Sequence, residues 1–350
     1  MAGRGIGMGI GFLALLTVAF GCSDSSDDSD PGRTALARGL YAMGAMEHAA
    51  PPSNDVITAA GEALMDGYGH GVYTFTTSKN QQVEDKETFW IDLSYRIAPT
   101  RIDPGAITTD GEFMFRVRKV AGPAIWFYSR NTQGAVTSLL SGNYHFAGYR
   151  HANGGPGLVT AFGTANFTGL GTYSISSTLS DTNPENRAGT IQITPQGNTA
   201  ALEGTELYVG FVDPEGNVSG WLDLDHSSGA YVRMDMFIRQ GSGMTQASLN
   251  GTYNLGRYFQ ASLAENPGSG FGTITFDGQG GWSMEYKDHN DVLRADSGTY
   301  VMAANGAATV TTQTGTLRAY LSPNPQRRLL YIVDTDVTDG ELGVFVATGR

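Results

Sequence analysis

The sequence is poor in the residues that usually announce chemistry. It holds one cysteine, Cys22, in 350 residues, so no disulfide can close within the chain. Charged side chains make up 16% of it, and acids outnumber bases 34 to 22, a formal net charge of −12. An acidic chain without a basic stripe argues against nucleic-acid binding and against electrostatic docking on anionic lipid heads. Its six histidines are scattered. No nucleophile elbow, P-loop, zinc signature or dinucleotide fingerprint occurs, and nothing calls for a cofactor or a metal. The one long apolar run, Ile6 to Phe20, is too short for a comfortable transmembrane helix.

Glycine is the opposite case, with 48 residues, and it falls at turn positions rather than with a collagen period. The segment Gly272-Thr-Ile-Thr-Phe-Asp-Gly-Gln-Gly280 shows why. Ile274 and Phe276 alternate with Thr273 and Thr275, which reads as a strand with one apolar and one polar face. Asp277 to Gly280 supply turn chemistry, because glycine reaches positive φ without steric cost. The return strand places Trp282, Met284 and Tyr286 on one face and Ser283 and Glu285 on the other.

The chain states this hairpin three times. Gly163-Thr-Ala-Asn-Phe-Thr-Gly-Leu-Gly171 matches it at an offset of 109 (272 − 163). The same offset pairs Gly142-Asn-Tyr144 with Gly251-Thr-Tyr253, Gly189-Thr190 with Gly298-Thr299, Gly197 with Gly306, and Asp225 with Asp334. A more worn copy, Gly61 to Gly69, matches at an offset of 102 (163 − 61), with its opener Gly39-Leu-Tyr41 at 103 (142 − 39). With small gaps, Ser94-Tyr95 aligns with Thr299-Tyr300, and Ala124–Tyr128 with Leu329–Val333. An Ala-rich helical pair is the competing reading of residues 33–66, on propensity.

The copies span residues 33–138, 139–246 and 247–350, each long enough to bury its own core. Short alternating runs are separated by turns such as Asp213-Pro-Glu-Gly216, Asn305-Gly306 and Asp339-Gly340, which are hairpin signals. The expectation is an all-β protein of three tandem antiparallel up-and-down barrels or sandwiches, with roughly six to eight strands per copy. Closure into barrels removes exposed edges. The series G-x-Y, G-x-x-x-F-[DT]-G-x-G, G-T-[YI] resembles the repeats of poorly characterised bacterial secreted and lipoprotein sequences with lipocalin-like or related barrels. That resemblance covers copies two and three well and copy one loosely. It brings no catalytic motif, so no functional residue follows from it.

Residues 1–21 read as a secretory signal, with Arg4 in a short n-region before the apolar run. The run ends Val-Ala-Phe-Gly-Cys22, which resembles a bacterial lipobox. Gly21 fits the pattern, whereas Ala19 and Phe20 depart from the usual leucine and small residue. The resemblance implies lipidation at Cys22, with the membrane as partner. Ser23 after the cysteine is similar to an outer-membrane sorting choice, which places the protein in the bacterial envelope facing periplasm or exterior. Residues 22–32 carry four aspartates among serines. Such a run cannot pack and reads as an acidic disordered tether.

Candidate chemistry is thin. Asp223-Leu-Asp225-His226 puts its histidine on the opposite strand face from its aspartates, a poor chelate. Asp334-x-Asp336-x-x-Asp339-Gly340 departs from the EF-hand spacing and lacks its terminal glutamate. The strand aromatics Tyr73, Phe75, Trp126, Phe127, Tyr173, Trp221, Trp282 and Tyr286 either fill cores or line a cavity. Trp126, Trp221 and Trp282, drawn one from each copy, are the ligand-lining candidates. The sequence therefore reads as a lipid-anchored envelope protein with a structural or interaction role, whose partner is another envelope protein. Its alternatives are a carrier of a small apolar ligand and a barrel-type enzyme. Cavity volume separates the first two, and a polar cleft present in a single copy marks the third.

Overall fold

The computed structural model describes residues 34–48, 56–92, 94–99, 103–118, 122–152, 158–180, 183–224, 231–260, 268–335 and 342–350. The signal segment, Cys22, the acidic tether, and the candidates Asp225, His226, Asp336 and Asp339 lie outside the described residues. Strands are numbered β1 to β24 in chain order, eight to a barrel, and each set closes on itself with antiparallel neighbours. Barrel 1 comprises β1 (Arg38–His48), β2 (Val56–Asp66), β3 (His70–Thr77), β4 (Gln82–Ile91), β5 (Arg96–Pro99), β6 (Gly105–Ile107), β7 (Phe113–Arg118) and β8 (Ala124–Arg130). Barrel 2 comprises β9 (Ser141–Ala152), β10 (Leu158–Thr168), β11 (Thr172–Leu179), β12 (Pro184–Ile193), β13 (Asn198–Glu203), β14 (Glu206–Val212), β15 (Val218–Asp223) and β16 (Tyr231–Arg239). Barrel 3 comprises β17 (Gly251–Gln260), β18 (Gly268–Phe276), β19 (Gly281–Asp288), β20 (Leu293–Met302), β21 (Ala307–Thr311), β22 (Thr316–Leu321), β23 (Leu329–Asp334) and β24 (Leu342–Gly349).

The hairpin read from the sequence is β18–β19, with Phe276 opposite Trp282 and Ile274 opposite Met284. Its turn glycine and its two counterparts adopt the left-handed conformation, with φ of +80° at Gly67, +74° at Gly169 and +74° at Gly278. The Ala-rich stretch of copy one is a strand pair, β1 with β2. Tertiary pairing overrides helix propensity there, because a strand with no partner across the seam would leave the barrel open.

Three of the alignments move, two of them gapped and one at the ungapped offset. Thr88-Phe89, rather than Ser94-Tyr95, occupies the place of Thr299-Tyr300, since His70 faces Thr88 as Gly281 faces Thr299. Tyr95 instead sits in the β4–β5 turn at φ +59°. Ala124–Tyr128 lies on the closing strand β8, whose counterpart is β24, whereas Leu329–Val333 lies on the seventh strand β23. Asp334 corresponds to Asp223 rather than Asp225, because the β22–β23 loop (322–328) is two residues longer than the β14–β15 loop (213–217).

Inward-facing residues fill each barrel: Tyr41, Met43 and Ile107 in barrel 1, Tyr144, Phe167 and Trp221 in barrel 2, Tyr253, Phe276 and Trp282 in barrel 3. The barrels are not separate cores, however. Outward residues of all three form a fourth cluster, with Phe113, Phe115 and Val117 against Phe211 and Leu222 and against Tyr258, Tyr331 and Val346. The Phe113 and Phe211 rings lie 6.2 Å apart, and Tyr149 and Tyr258 meet edge to face at 5.2 Å.

The arrangement is a closed ring with pseudo-threefold repetition. Thr58, Thr160 and Ser269 hold the same place on the second strand of their barrels, opposite Met46, Tyr149 and Tyr258. Thr58 donates its hydroxyl to the Asp223 carbonyl, Thr160 donates to that of Asp334 at 2.5 Å, and Ser269 to that of Arg118 at 2.6 Å. Each acceptor ends the seventh strand of the next barrel, so the contact runs from barrel 1 to 2, 2 to 3 and 3 to 1. A buried hydroxyl left without its acceptor costs about 1–3 kcal/mol, which ties register within a barrel to docking between barrels.

Candidate functional site

Each barrel is plugged at the end where its first strand begins. Tyr41 donates to the Gly111 carbonyl at 2.8 Å, and Tyr144 to that of Gly216 at 2.5 Å. A guanidinium covers each plug, with Arg130 over Tyr41 at 5.6 Å, Arg239 over Tyr144 at 5.1 Å and Arg328 over Tyr253 at 4.7 Å. Arg130 and Arg239 end the closing strands, whereas Arg328 reaches the same position from the 322–328 loop.

The interiors differ beyond the plugs. In barrel 2, Trp221 is fully buried, with its ring 4.4 Å from Phe237 and 4.9 Å from Tyr173. Behind it Arg187 bonds Glu203 at 2.8 Å and Asp235 at 2.7 Å, and Arg150 bonds Glu185 at 2.8 Å. In barrel 3, Trp282 is buried and donates its indole N–H to the Thr311 carbonyl at 3.2 Å. Arg257 lies between the rings of Phe259 and Phe345, 4.3 and 4.5 Å from their centroids.

Barrel 1 is built otherwise. On the third strand of barrels 2 and 3 an aromatic faces a glycine on the fourth, Tyr173 against Gly189 and Trp282 against Gly298. The glycine is needed, because a Cβ at Gly189 would lie 2.7 Å from the Tyr173 hydroxyl. Barrel 1 inverts the pair, with Gly71 facing Glu87. Arg116 likewise stands where barrel 2 has Trp221 and barrel 3 has Ile332. A Cβ at Gly71 would lie 2.9 Å from both the Met65 sulfur and the Tyr73 hydroxyl, so those side chains take the place of Tyr173, and toward the open end of barrel 1, beside Arg116, a recess of about 330 Å³ remains.

One wall of the recess is aromatic. Phe75 and Trp126 meet edge to face at 5.4 Å, and Tyr73 and Tyr128 lie 6.0 Å apart. Its floor is the Arg116 guanidinium, which grips Glu87 with both terminal nitrogens and reaches the Tyr73 hydroxyl at 3.3 Å. Arg118 pairs with Glu47 at the rim, and Asp85 and Asp103 complete it. Burial pushes the Tyr73 hydroxyl up to about 12 and that of Tyr128 well above its ordinary value, so both stay protonated. Burial also raises the Asp103 carboxyl, against the pull of Arg116 and Arg118.

The candidate tryptophans thus have three settings. Trp126 borders the recess, whereas Trp221 and Trp282 sit within packed interiors. Phe127 faces outward into the shared core. The recesses beside Thr164, Ser174 and Asn186 of barrel 2 and beside Thr273, Ser283 and Ala295 of barrel 3 lie along outer strand faces. Among the described residues no three His, Cys, Asp or Glu side chains gather to hold a metal ion, and no helix is long and apolar enough to cross a membrane. Sequence reasoning missed Arg116, Glu87, Asp85 and Asp103, and only a correct strand alignment of copy one shows the Gly71–Glu87 inversion.

No protein-family model matches the chain, and no curated protein matches it in sequence. Among solved structures it is similar to a protein of unknown function from the DUF3598 family of Nostoc punctiforme. That match has 7% identity and a TM-score of 0.23, covering 92% of this chain and 98% of the other. It is also similar to the isotype 1 transferrin binding protein B of serogroup B Neisseria meningitidis. Here identity is 8% and the TM-score 0.29, over 90% of this chain and 77% of the other. At such TM-scores neither likeness carries an argument, and the fold stands on the strand order itself.

Proposed function

We propose that this is a lipid-tethered envelope protein in which barrels 2 and 3 form a filled scaffold and barrel 1 binds a small ligand at its open end. The observation that carries the binding part is the recess itself, about 330 Å³ bordered by Phe75, Trp126 and Arg116, the last standing where barrel 2 packs Trp221. The recess has the size of a small-molecule site and mixes aromatic wall with a few fixed polar groups, as such sites do. Its ion pairs, Arg116 with Glu87 and Arg118 with Glu47, are already made, which suits a binding wall better than a reacting one. The envelope part is supported by the signal-like residues 1–21 and by Cys22. The outer faces of barrels 2 and 3 remain for contact with an envelope partner.

The test is to fill the recess from its own wall with Val83→Trp, which leaves the Arg116–Glu87 pair in place. A small-molecule panel should raise the melting temperature of the native protein, since a ligand at a hundred times its Kd adds about 2.7 kcal/mol. The filled variant should fold and lose the response. A response that survives filling would place binding elsewhere. Membrane fractionation and N-terminal mass analysis of the native protein and of Cys22→Ala test the tether. A native N-terminus without lipid at Cys22 would remove it.

A further inference from the structure

We infer that the recess of barrel 1 selects a small organic cation with an aromatic or quaternary-ammonium head; this rests on the ligand-binding reading above. Four carboxylates, Glu47, Asp85, Glu87 and Asp103, border the recess against two guanidiniums, Arg116 and Arg118. The formal excess is two negative charges (4 − 2). Both guanidiniums are committed, Arg116 to Glu87 and Arg118 to Glu47. Among the described residues, neither Asp85 nor Asp103 forms an ion pair. They stand on different strand segments, Asp85 on β4 and Asp103 just before β6, and both border the recess.

The other two barrels show that this imbalance is local. Arg187 occupies in barrel 2 the place of Asp85, opposite Ile175 as Asp85 is opposite Tyr73. There it neutralises Asp235 and Glu203 from within the barrel. Barrel 3 also keeps a cation inside, Arg257 held between Phe259 and Phe345. Barrel 1 sets Trp126 and Phe75 beside four carboxylates that share two guanidiniums. Its own interior cation, Arg116, is spent on Glu87, so no side-chain cation forms an ion pair with Asp85 or Asp103. Trp126 lies on β8 where Phe345 lies on β24, facing Ala45 as Phe345 faces Arg257. Barrel 1 therefore keeps the aromatic but has Ala45 where barrel 3 has Arg257, and the cation across the β7–β8 pair from Trp126, Arg116, is spent on Glu87.

A ligand cation seated there gains twice. It lies against Trp126 and Phe75, a contact worth most when desolvated, and it answers the carboxylates of half-buried Asp103 and exposed Asp85 at the rim. A ligand anion meets the same carboxylates as repulsion. A neutral molecule of equal shape keeps only the aromatic contact.

Calorimetry on the purified protein with benzyltrimethylammonium, benzyl alcohol and phenylacetate tests this. The cation should bind saturably, benzyl alcohol about tenfold more weakly or less, and phenylacetate not at all. Asp85→Asn with Asp103→Asn should weaken the cation about tenfold and leave benzyl alcohol unchanged, with the melting temperature showing that the variant folds. Trp126→Ala should weaken both. If benzyl alcohol or phenylacetate binds as tightly as the cation, the charge inference is overturned while the ligand site stands. If none of the three binds, the cation inference falls, and silence across the wider panel would take the binding reading with it.

Discussion

Arg327 of barrel 3 and Asp213 of barrel 2 form an ion pair in which neither side chain is exposed. The same guanidinium reaches Asp110 of barrel 1 at 3.1 Å. Three equivalent loops, 108–112, 213–217 and 322–328, thus converge on one arginine, at the axis about which the barrels repeat. Thr109 adds a hydroxyl donation to the Gln326 carbonyl at 2.6 Å.

Removing one partner should cost far more than removing both. Asp213→Ala leaves Arg327 buried with part of its charge unanswered, and should lower stability by about 3–5 kcal/mol. Asp213→Leu with Arg327→Met should recover much of that, less the turn bond that Asp213 accepts from the Val218 amide. Urea midpoints of the single and double variants decide it. Equal losses in both would show that the pair itself is not what holds the loops together.

The fragment 247–350 should not behave as an independent barrel, although a sequence read as three self-contained repeats suggests that it would. Cut from its neighbours, it exposes Tyr258, Tyr331, Val333, Val344 and Val346 on one face. A contiguous apolar patch of that kind drives association. Size-exclusion chromatography should show oligomers that bind a hydrophobic dye. A monomeric, dye-silent fragment that melts like the whole protein would mean that the shared core is dispensable.

Gly278→Val should destabilise the protein by about 1–3 kcal/mol, since a β-branched residue at φ +74° is strained. Its Cβ would also lie 2.9 Å from the Asn250 Cβ. The thermal melt of the full chain is the measurement, and an unchanged melting temperature would show that the turn relaxes without cost.

His145 makes stability fall on the acid side. It is buried between barrels 2 and 3, stacked on Tyr320 at 4.7 Å, with Nε2 at 2.9 Å from the Asn305 carbonyl, to which the neutral ring donates. Burial holds its pKa below the ordinary value, partly offset by that hydrogen bond. Below about pH 6.5 the unfolded chain takes up a proton that the folded chain refuses. Stability contributed this way is present above that pH and is lost as pH falls through it. The native protein should lose more melting temperature between pH 7.5 and 5.5 than His145→Phe does. Parallel profiles would show that the imidazole is not held neutral.

The barrels were legible because alternation and turn glycines are local. Phe276, Trp282 and Gly278 announce their hairpin within a dozen residues, and the 109-residue offset repeats it. The shared core left a signal that went unread. β23 and β24 are buried along their whole length, and Leu329-Leu-Tyr-Ile-Val333 is a continuous apolar run, the mark of a strand covered on both faces. The recess was less accessible. Arg116 and Glu87 lie 29 residues apart, so their pairing depends on which strands close the barrel. The worn alignment of copy one hid the Gly71–Glu87 inversion, and the two extra residues before Leu329 hid Arg327.

A ring of equivalent barrels has no natural first member. Asn131 and Gln240 each donate a backbone N–H to the opening strand of their own barrel, at the Leu40 and Asn143 carbonyls, and Arg350 does the same at that of Thr252. From Asn131 to Val136 and from Gln240 to Thr245, where the next short 3-10 turn is capped, four residues intervene (132–135 and 241–244). Thr34 immediately precedes the corresponding turn of barrel 1. A link of the same length from Arg350 to Thr34 would complete the circle, and the chain could then be opened at either existing linker. The order of the barrels along the polypeptide is in this sense interchangeable.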